Sequence, residues 1–218
     1  MRKPIRLMIG GGALAAALLG TAVPAQAAAV PVVLSAGHVD VVDVEYEDGE
    51  LEIGVHDETV EPGVEREPSE VVFLVKRAAK TTVPAAPEFG FLGAAGSPVW
   101  ILPEIQNEDL LWAGFSTEEL ESGVFVDDSV TVNVVQVHGP GHVASYTEDA
   151  VGAPHVLFDS GDGLPDAAPL TAGLHQHANW AFQRAGRYCV TVEATATLAD
   201  TGETVTSERV TYTFVVQP

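Results

Sequence analysis

Two histidines stand one residue apart in the segment TAGLHQHANWAFQRAGRYCVTV, residues 171–192. At i and i+2, His175 and His177 project to the same side of an extended chain, the simplest way for one strand to offer two imidazoles to one metal ion. Asn179 continues that face, whereas Trp180 and Phe182 point the other way, into a core. Gly186, Tyr188, Val190 and Val192 prolong the period-two alternation of a half-buried strand, and Gly186-x-Tyr188 has the form of a tyrosine corner. A candidate ligand pair is thereby tied directly to a packing strand.

Two further histidines bound the segment GHVDVVDVEYEDGELEIGVHDE, residues 37–58, which reads as a hairpin closed by Asp48-Gly49 in a type I′ turn. Counting outward from that turn places Val42, Val44, Tyr46, Leu51, Ile53 and Val55 on a core face, and Asp43, Glu45, Glu47, Glu50 and Glu52 on an outer one. The acidic face suits a solvated sheet surface that discourages edge pairing. The same count puts His38 on the apolar face and His56 on the acidic one, so an unbroken ladder would keep them from sharing an ion. Both lie at the open end of the hairpin, where strands splay. Asp40, Asp57 and Glu58 follow them closely and offer carboxylates to orient an imidazole or to act as oxygen ligands.

The remaining candidates are weaker. His138 and His142 flank a Gly-Pro-Gly turn, and His155 precedes the acids Asp159, Asp162 and Asp166. That acid spacing lacks the residue order and closing glutamate of an EF-hand, so the segment reads as a turn-rich loop leading to the His175 strand. Cys189 is the single cysteine; no intramolecular disulfide can form, and a lone strand thiol without a base is an incidental small residue. No nucleophile elbow or His-Glu helix motif is present, and the chain reads as non-enzymatic.

Arg2, Lys3 and Arg6, an apolar run to Val23 and the small-residue site Ala25-Gln26-Ala27 form a signal peptide over residues 1–27, leaving 28–218 as one secreted or cell-surface domain with no membrane insertion after cleavage. Loss of residues 1–27 leaves seven of ten basic residues and all 31 acidic ones, a formal charge of −24. Such a surface repels nucleic acid and anionic lipid and concentrates cations.

Val71–Val75 reads as a strand buried on both faces, and residues 60–70 as a charged loop. Residues 81–103, rich in proline and glycine, read as a long connection pinned by Phe89, Phe91 and Trp100. Ser116-Thr117-Glu118-Glu119 has the form of a short helix start. Residues 129–138, 187–197 and 203–216 alternate as strands. Short strands, polar turns and at most one short helix define an all-β, immunoglobulin-like β-sandwich with long ordered loops.

The segments SAGHVDV (35–41), VWILPEIQ (99–106), LLWAGFSTEEL (110–120), VLFDSGDGLPD (156–166) and GLHQHANWAF to GRYCVTVEATATL (173–198) together resemble the actinobacterial surface-anchored protein domain of choice-of-anchor M proteins. The most specific piece is G-x-H-x-H-x-N-W-x-F followed by G-x-Y. Members of that family are exported and often encoded beside ABC transporters of the zinc and manganese uptake type. The resemblance implies a metal-acquisition accessory whose partner is such a transporter or its binding protein. His38, His175 and His177 match the family's recurring histidines, His56 less firmly, and His138, His142 and His155 are not carried over. The chain departs from the pattern in ending without an anchor, which favours a released or partner-held form. The expected centre is therefore zinc, with manganese as the alternative ion, on His38, His56, His175 and His177. The competing expectations are an envelope scaffold with structural histidines, and a glycan- or protein-binding module using Trp100 and Trp112.

Overall fold

Apolar residues at alternate positions build strands whose inner faces meet in one core. A computed structural model describes residues 30–218; the signal peptide read in residues 1–27 lies outside the described residues. The structure is an all-β sandwich. Its largest sheet runs in the order β1 (Val32–Leu34), β5 (Val71–Val75), β17 (Val210–Val216), β15 (Gly186–Leu198), β9 (Phe125–His138) and β12 (Asp166–Thr171), with β16 (Thr204–Thr206) also on β15. A second sheet orders β13 (His175–His177), β8 (Leu111–Ser116), β2 (Gly37–Glu47), β3 (Glu50–Asp57) and β4 (Val64–Arg66). The third orders β11 (Pro154–Asp159), β10 (Val143–Glu148), β14 (Asn179–Phe182), β7 (Pro98–Leu102) and β6 (Lys80–Thr82).

Aromatic side chains join the three sheets across the core. Phe214 of β17 lies 5.6 Å from Trp180 and 5.1 Å from Phe182, both on β14, and Trp180 stacks on Phe115 of β8 at 5.1 Å between centroids. Tyr212 Oη donates to the Gly54 carbonyl at 3.0 Å, pinning the large sheet to the second one. A smaller cluster forms where Phe89, Leu92 and Val83 cover Tyr146 and Ala181 on the third sheet. The proline-rich connection is thus an ordered cover, and its last part, Pro98–Leu102, is a strand that carries Trp100 into the core. Among the described residues no helix is long and apolar enough to cross a membrane.

The expected hairpin forms, with Asp48 at φ 50° and Gly49 at φ 91°, the pair of positive angles that a type I′ turn demands. Glu45 pairs with Glu52, Tyr46 with Leu51, and Glu47 with Glu50. Beyond Asp43 the ladder departs from the expected count. Asp43 pairs with Gly54 and Asp40 with His56, so Val41 and Val42 together oppose Val55 in a β-bulge. Both valines are buried, and the extra residue moves His38 and Asp40 onto the same face as Asp43, Glu45 and His56.

Two other expectations are corrected. The segment at Ser116-Thr117-Glu118-Glu119 ends strand β8 and makes a turn, because the Thr117 N–H donates to the Leu174 carbonyl and its own carbonyl accepts from Gly173, both at 2.8 Å. These long-range bonds outcompete a local helix. Helical conformation in the described residues is limited to 3-10 segments at Pro68–Glu70, Arg77–Ala79 and Pro87–Leu92. Within the charged loop, Val64–Arg66 pairs with β3 as an edge strand. The tyrosine corner is formed: Tyr188 Oη donates to the Arg184 carbonyl at 2.8 Å.

Because Phe214 packs against Trp180 and Phe182 of the third sheet and Phe73 of its own, Phe214→Ala is expected to cost about 3–5 kcal/mol of unfolding free energy, measured by urea denaturation followed by tryptophan fluorescence.

Candidate metal centre

The outer face of the second sheet gathers the histidines strand by strand. His175 pairs with Ser116 and His177 with Gly114 across β13 and β8; β8 in turn runs parallel to β2, setting His38 beside Trp112 and Asp40 beside Gly114. Residues paired across a ladder share a face. A single row therefore crosses the sheet from His177 through Gly114 and Asp40 to His56 and, on β4, Glu65.

Three of the four expected ligands converge. His38, His175 and His177, together with Asp40, each offer one ligand atom, all within 4.8 Å of one another. His38 Nε2 and His175 Nε2 are 3.0 Å apart, and Asp40 Oδ1 lies 3.2 Å from His175 Nε2 and 3.7 Å from His38 Nε2. Ligand atoms around a tetrahedral zinc with ordinary bond lengths stand roughly 3.3 Å apart, so the spacing fits one small ion. His56 is not in this group; it stands with Asp43 and Glu65. His138, His142 and His155 join neither group among the described residues.

The outward nitrogens are held by carboxylates. His38 Nδ1 contacts Glu58, and His175 Nδ1 lies 3.0 Å from Glu118 Oε2. A carboxylate on Nδ1 fixes the tautomer that leaves Nε2 free and makes it more basic. His177 has no such partner. Its ring stacks on Trp112 at 3.6 Å and 8°, and both of its nitrogens are buried without a hydrogen bond. Trp112 is itself anchored, donating from Nε1 to the Glu104 carbonyl at 2.7 Å, while Asn179 accepts from Glu104 N and donates to its carboxylate. Asn179, expected to continue the histidine face, instead fixes the loop that holds the tryptophan.

Burial, together with the neighbouring His38 and His175, pulls the His177 pKa down to about 4. The Asp40 carboxylate, with Glu58, pulls that of His38 up despite burial. Three rings with centroids 4.7–5.2 Å apart cannot all carry charge. At neutral pH His177 is therefore an uncharged imidazole with one nitrogen lone pair to offer, the form a metal takes. Asp40 is only 2% exposed and its Oδ1 has no hydrogen-bond partner. A Cβ on Gly114 would run into that carboxylate and lie 3.2 Å from His177 Cε1. Gly114 keeps the floor of the centre open.

In the second group His56 Nδ1 contacts Glu65, and its Nε2 is 3.6 Å from Glu58 Oε1. Burial opposes protonation of His56, yet Glu65, Asp43 and Glu58 outweigh it and raise its pKa. Burial pushes the Asp43 carboxyl up to about 7.

Asp43, Glu65 and Glu118 were not singled out as ligands or partners in the sequence. Asp43 and Glu65 sit in acidic runs that read as solvated surface, and Glu118 follows a strand end that reads as a helix start. Asp40 carried a usable signal, two residues from His38. The calcium-like spacing at 159–166 is accounted for by turn formation: Asp159 Oδ1 accepts from Gly161 N at 2.8 Å, and Asp166 Oδ2 from Asp159 N at 2.7 Å.

The fold and this site define a β-sandwich with a histidine-carboxylate cluster on one outer sheet face. No family model, curated protein or solved structure matches the chain.

Glu118→Gln keeps the shape of the side chain and removes the charge that orients His175. It is expected to weaken zinc binding about 10–100-fold without changing the fold, as measured by chelator competition alongside circular dichroism. Gly114→Ala should remove tight binding altogether, because its methyl group occupies the space of the Asp40 carboxylate.

Proposed function

We propose that this protein is an exported binder of divalent transition metal, zinc above all, that serves as an accessory to metal uptake at the cell surface. The observation that carries the reading is the set of unpartnered polar atoms. Asp40 Oδ1 and both nitrogens of His177 are buried without hydrogen bonds at the point where two Nε2 atoms meet 3.0 Å apart. Buried polar groups are ordinarily satisfied, and a divalent ion would satisfy Asp40 Oδ1 and one nitrogen of His177 at once. The ligand chemistry, three imidazoles and one carboxylate, suits zinc.

Four protein ligands around one ion favour holding it over activating water, which needs an open position. The side chains of His38 and His175 are 17% and 29% exposed. An ion held there is within reach of a chelating partner, in keeping with capture and delivery. The acidic surface raises the local cation concentration. Export rests on the basic, apolar and small-residue pattern of residues 1–27, and the link to a zinc- or manganese-type transporter on the family resemblance.

The alternative of an envelope scaffold with structural histidines is disfavoured by the same unpartnered atoms, since a structural histidine would be hydrogen-bonded. A glycan platform on the tryptophans is disfavoured because Trp100 is buried and one face of Trp112 is covered by His177.

The test is the metal content and zinc affinity of residues 28–218 prepared without a polyhistidine tag, beside the double variant His175→Ala/His177→Ala. Tight zinc in the wild type, lost in the variant, is the expected result. Zinc at 100 times its dissociation constant should also add about 2.7 kcal/mol of stability to the wild type alone. No binding tighter than millimolar in the wild type would return the histidines to a structural role.

A further inference from the structure

The histidine centre leaves a second group on the same sheet face unexplained. Asp43 on β2, His56 on β3 and Glu65 on β4 each present a ligand atom, all within 4.8 Å of one another. Asp43 pairs with Gly54, His56 with Glu65, and His56 with Asp40, so this group lies beside the first across the sheet.

More than acidity marks it. Asp43 is 2% exposed and its Oδ1 is buried with no hydrogen-bond partner. A carboxylate meant only for the solvated face of a sheet would reach water; this one is drawn under the sheet's cover, with one oxygen within 4.8 Å of the ligand atoms of His56 and Glu65. Two glycines make room for the carboxylate and for the imidazole ring. Gly54, across from Asp43, offers no side chain to cap the carboxylate, and a Cβ on Gly63 would approach His56 Nε2 to 2.8 Å.

We propose that Asp43, His56 and Glu65 form a second divalent-cation site, separate from the histidine centre, with Glu58 orienting one imidazole of each. One imidazole with two carboxylates is a harder donor set than three imidazoles with one, and it admits manganese more readily than the first site does. Three protein ligands leave positions for water, which makes this the weaker and faster-exchanging site. The Glu58 carboxylate spans the two, with Oε2 on His38 Nδ1 and Oε1 3.6 Å from His56 Nε2. Each imidazole then faces its ion with the nitrogen opposite Glu58: Nε2 in His38 and Nδ1 in His56. Two ions lie side by side along one sheet face, the outer one next to the acidic edge formed by Glu45, Glu52 and Glu65.

The inference goes beyond the proposed function and uses different ligands, so the two can fail separately. The experiment titrates the untagged chain with Zn2+ and, in parallel, with Mn2+ read by electron paramagnetic resonance. Three variants are compared: Glu65→Gln, His56→Ala and His175→Ala/His177→Ala. The wild type should take up two ions per chain, one tight and one weak. Glu65→Gln, an exposed and isosteric change, should lose the weak ion and keep the tight one within about threefold. His56→Ala should do the same. The double variant should keep the weak Mn2+ ion, even if the tight site proves absent in the wild type. No Mn2+ ion left in the folded double variant, two ions retained in Glu65→Gln, or loss of both ions in a folded His56→Ala would each overturn the second site. Glu58→Gln should weaken both ions by about tenfold or more; an effect confined to one would remove Glu58 from its shared role.

Discussion

The bulge at Val41 and Val42 sets everything on the outer face of the second sheet. Strand side chains alternate, so one extra residue reverses the facing of all that precede it. With the bulge, His38 and Asp40 stand beside Asp43, Glu45 and His56. Without it they would point into the core, where a histidine and an aspartate would have to be desolvated without partners. Both bulged valines remain buried, so the departure from the ladder loses little apolar contact while turning two polar residues outward.

Once the faces are set, the parallel pairing of β2 with β8 and the antiparallel pairing of β8 with β13 fix the distances. Gly114 lies between His177 and Asp40 in one row. Its missing side chain lets groups two strands apart meet above it, where any larger residue would hold them off. Trp112 supplies a rigid wall for His177, held by its own hydrogen bond to the Glu104 carbonyl and by the pair of hydrogen bonds between Asn179 and Glu104. The candidate ligands are thus supported by packing on one side and by Glu58 and Glu118 on the other, an arrangement of fixed imidazoles with few internal partners of their own.

The motif G-x-H-x-H-x-N-W-x-F followed by G-x-Y resolves into distinct physical tasks. Gly173 takes φ 77° at the turn into β13, and His175 and His177 face the centre. Asn179 braces the loop, Trp180 and Phe182 enter the core, and Tyr188 ties its own corner. The chain crosses from one sheet to the next at Ala178, between β13 and β14. His177 stands three residues before Trp180, which packs against Phe115, Phe158 and Phe214, and loss of core packing would be transmitted directly to the candidate ligands.

The sequence by itself determined the hairpin strands and those at residues 71–75, 129–138 and 187–197, the type I′ hairpin turn, the β-sandwich class and the paired histidines of β13, because each follows from local spacing: alternation, a turn dipeptide, an i, i+2 pair. It also carried His38 as a candidate, through resemblance, although the ladder count placed that residue on the wrong face. Only the tertiary structure decided that Asp40 completes the first group while His56 leaves it for Asp43 and Glu65. A bulge has no turn residue to announce it, and its place depends on which partner strands impose their register. The parallel pairing of β2 with β8 joins segments about 70 residues apart, and nothing in either segment alone specifies the other. Acidic residues such as Glu65 and Glu118 are indistinguishable in sequence from the many that only solvate this highly charged surface. Their meaning comes from the imidazole nitrogen each one faces.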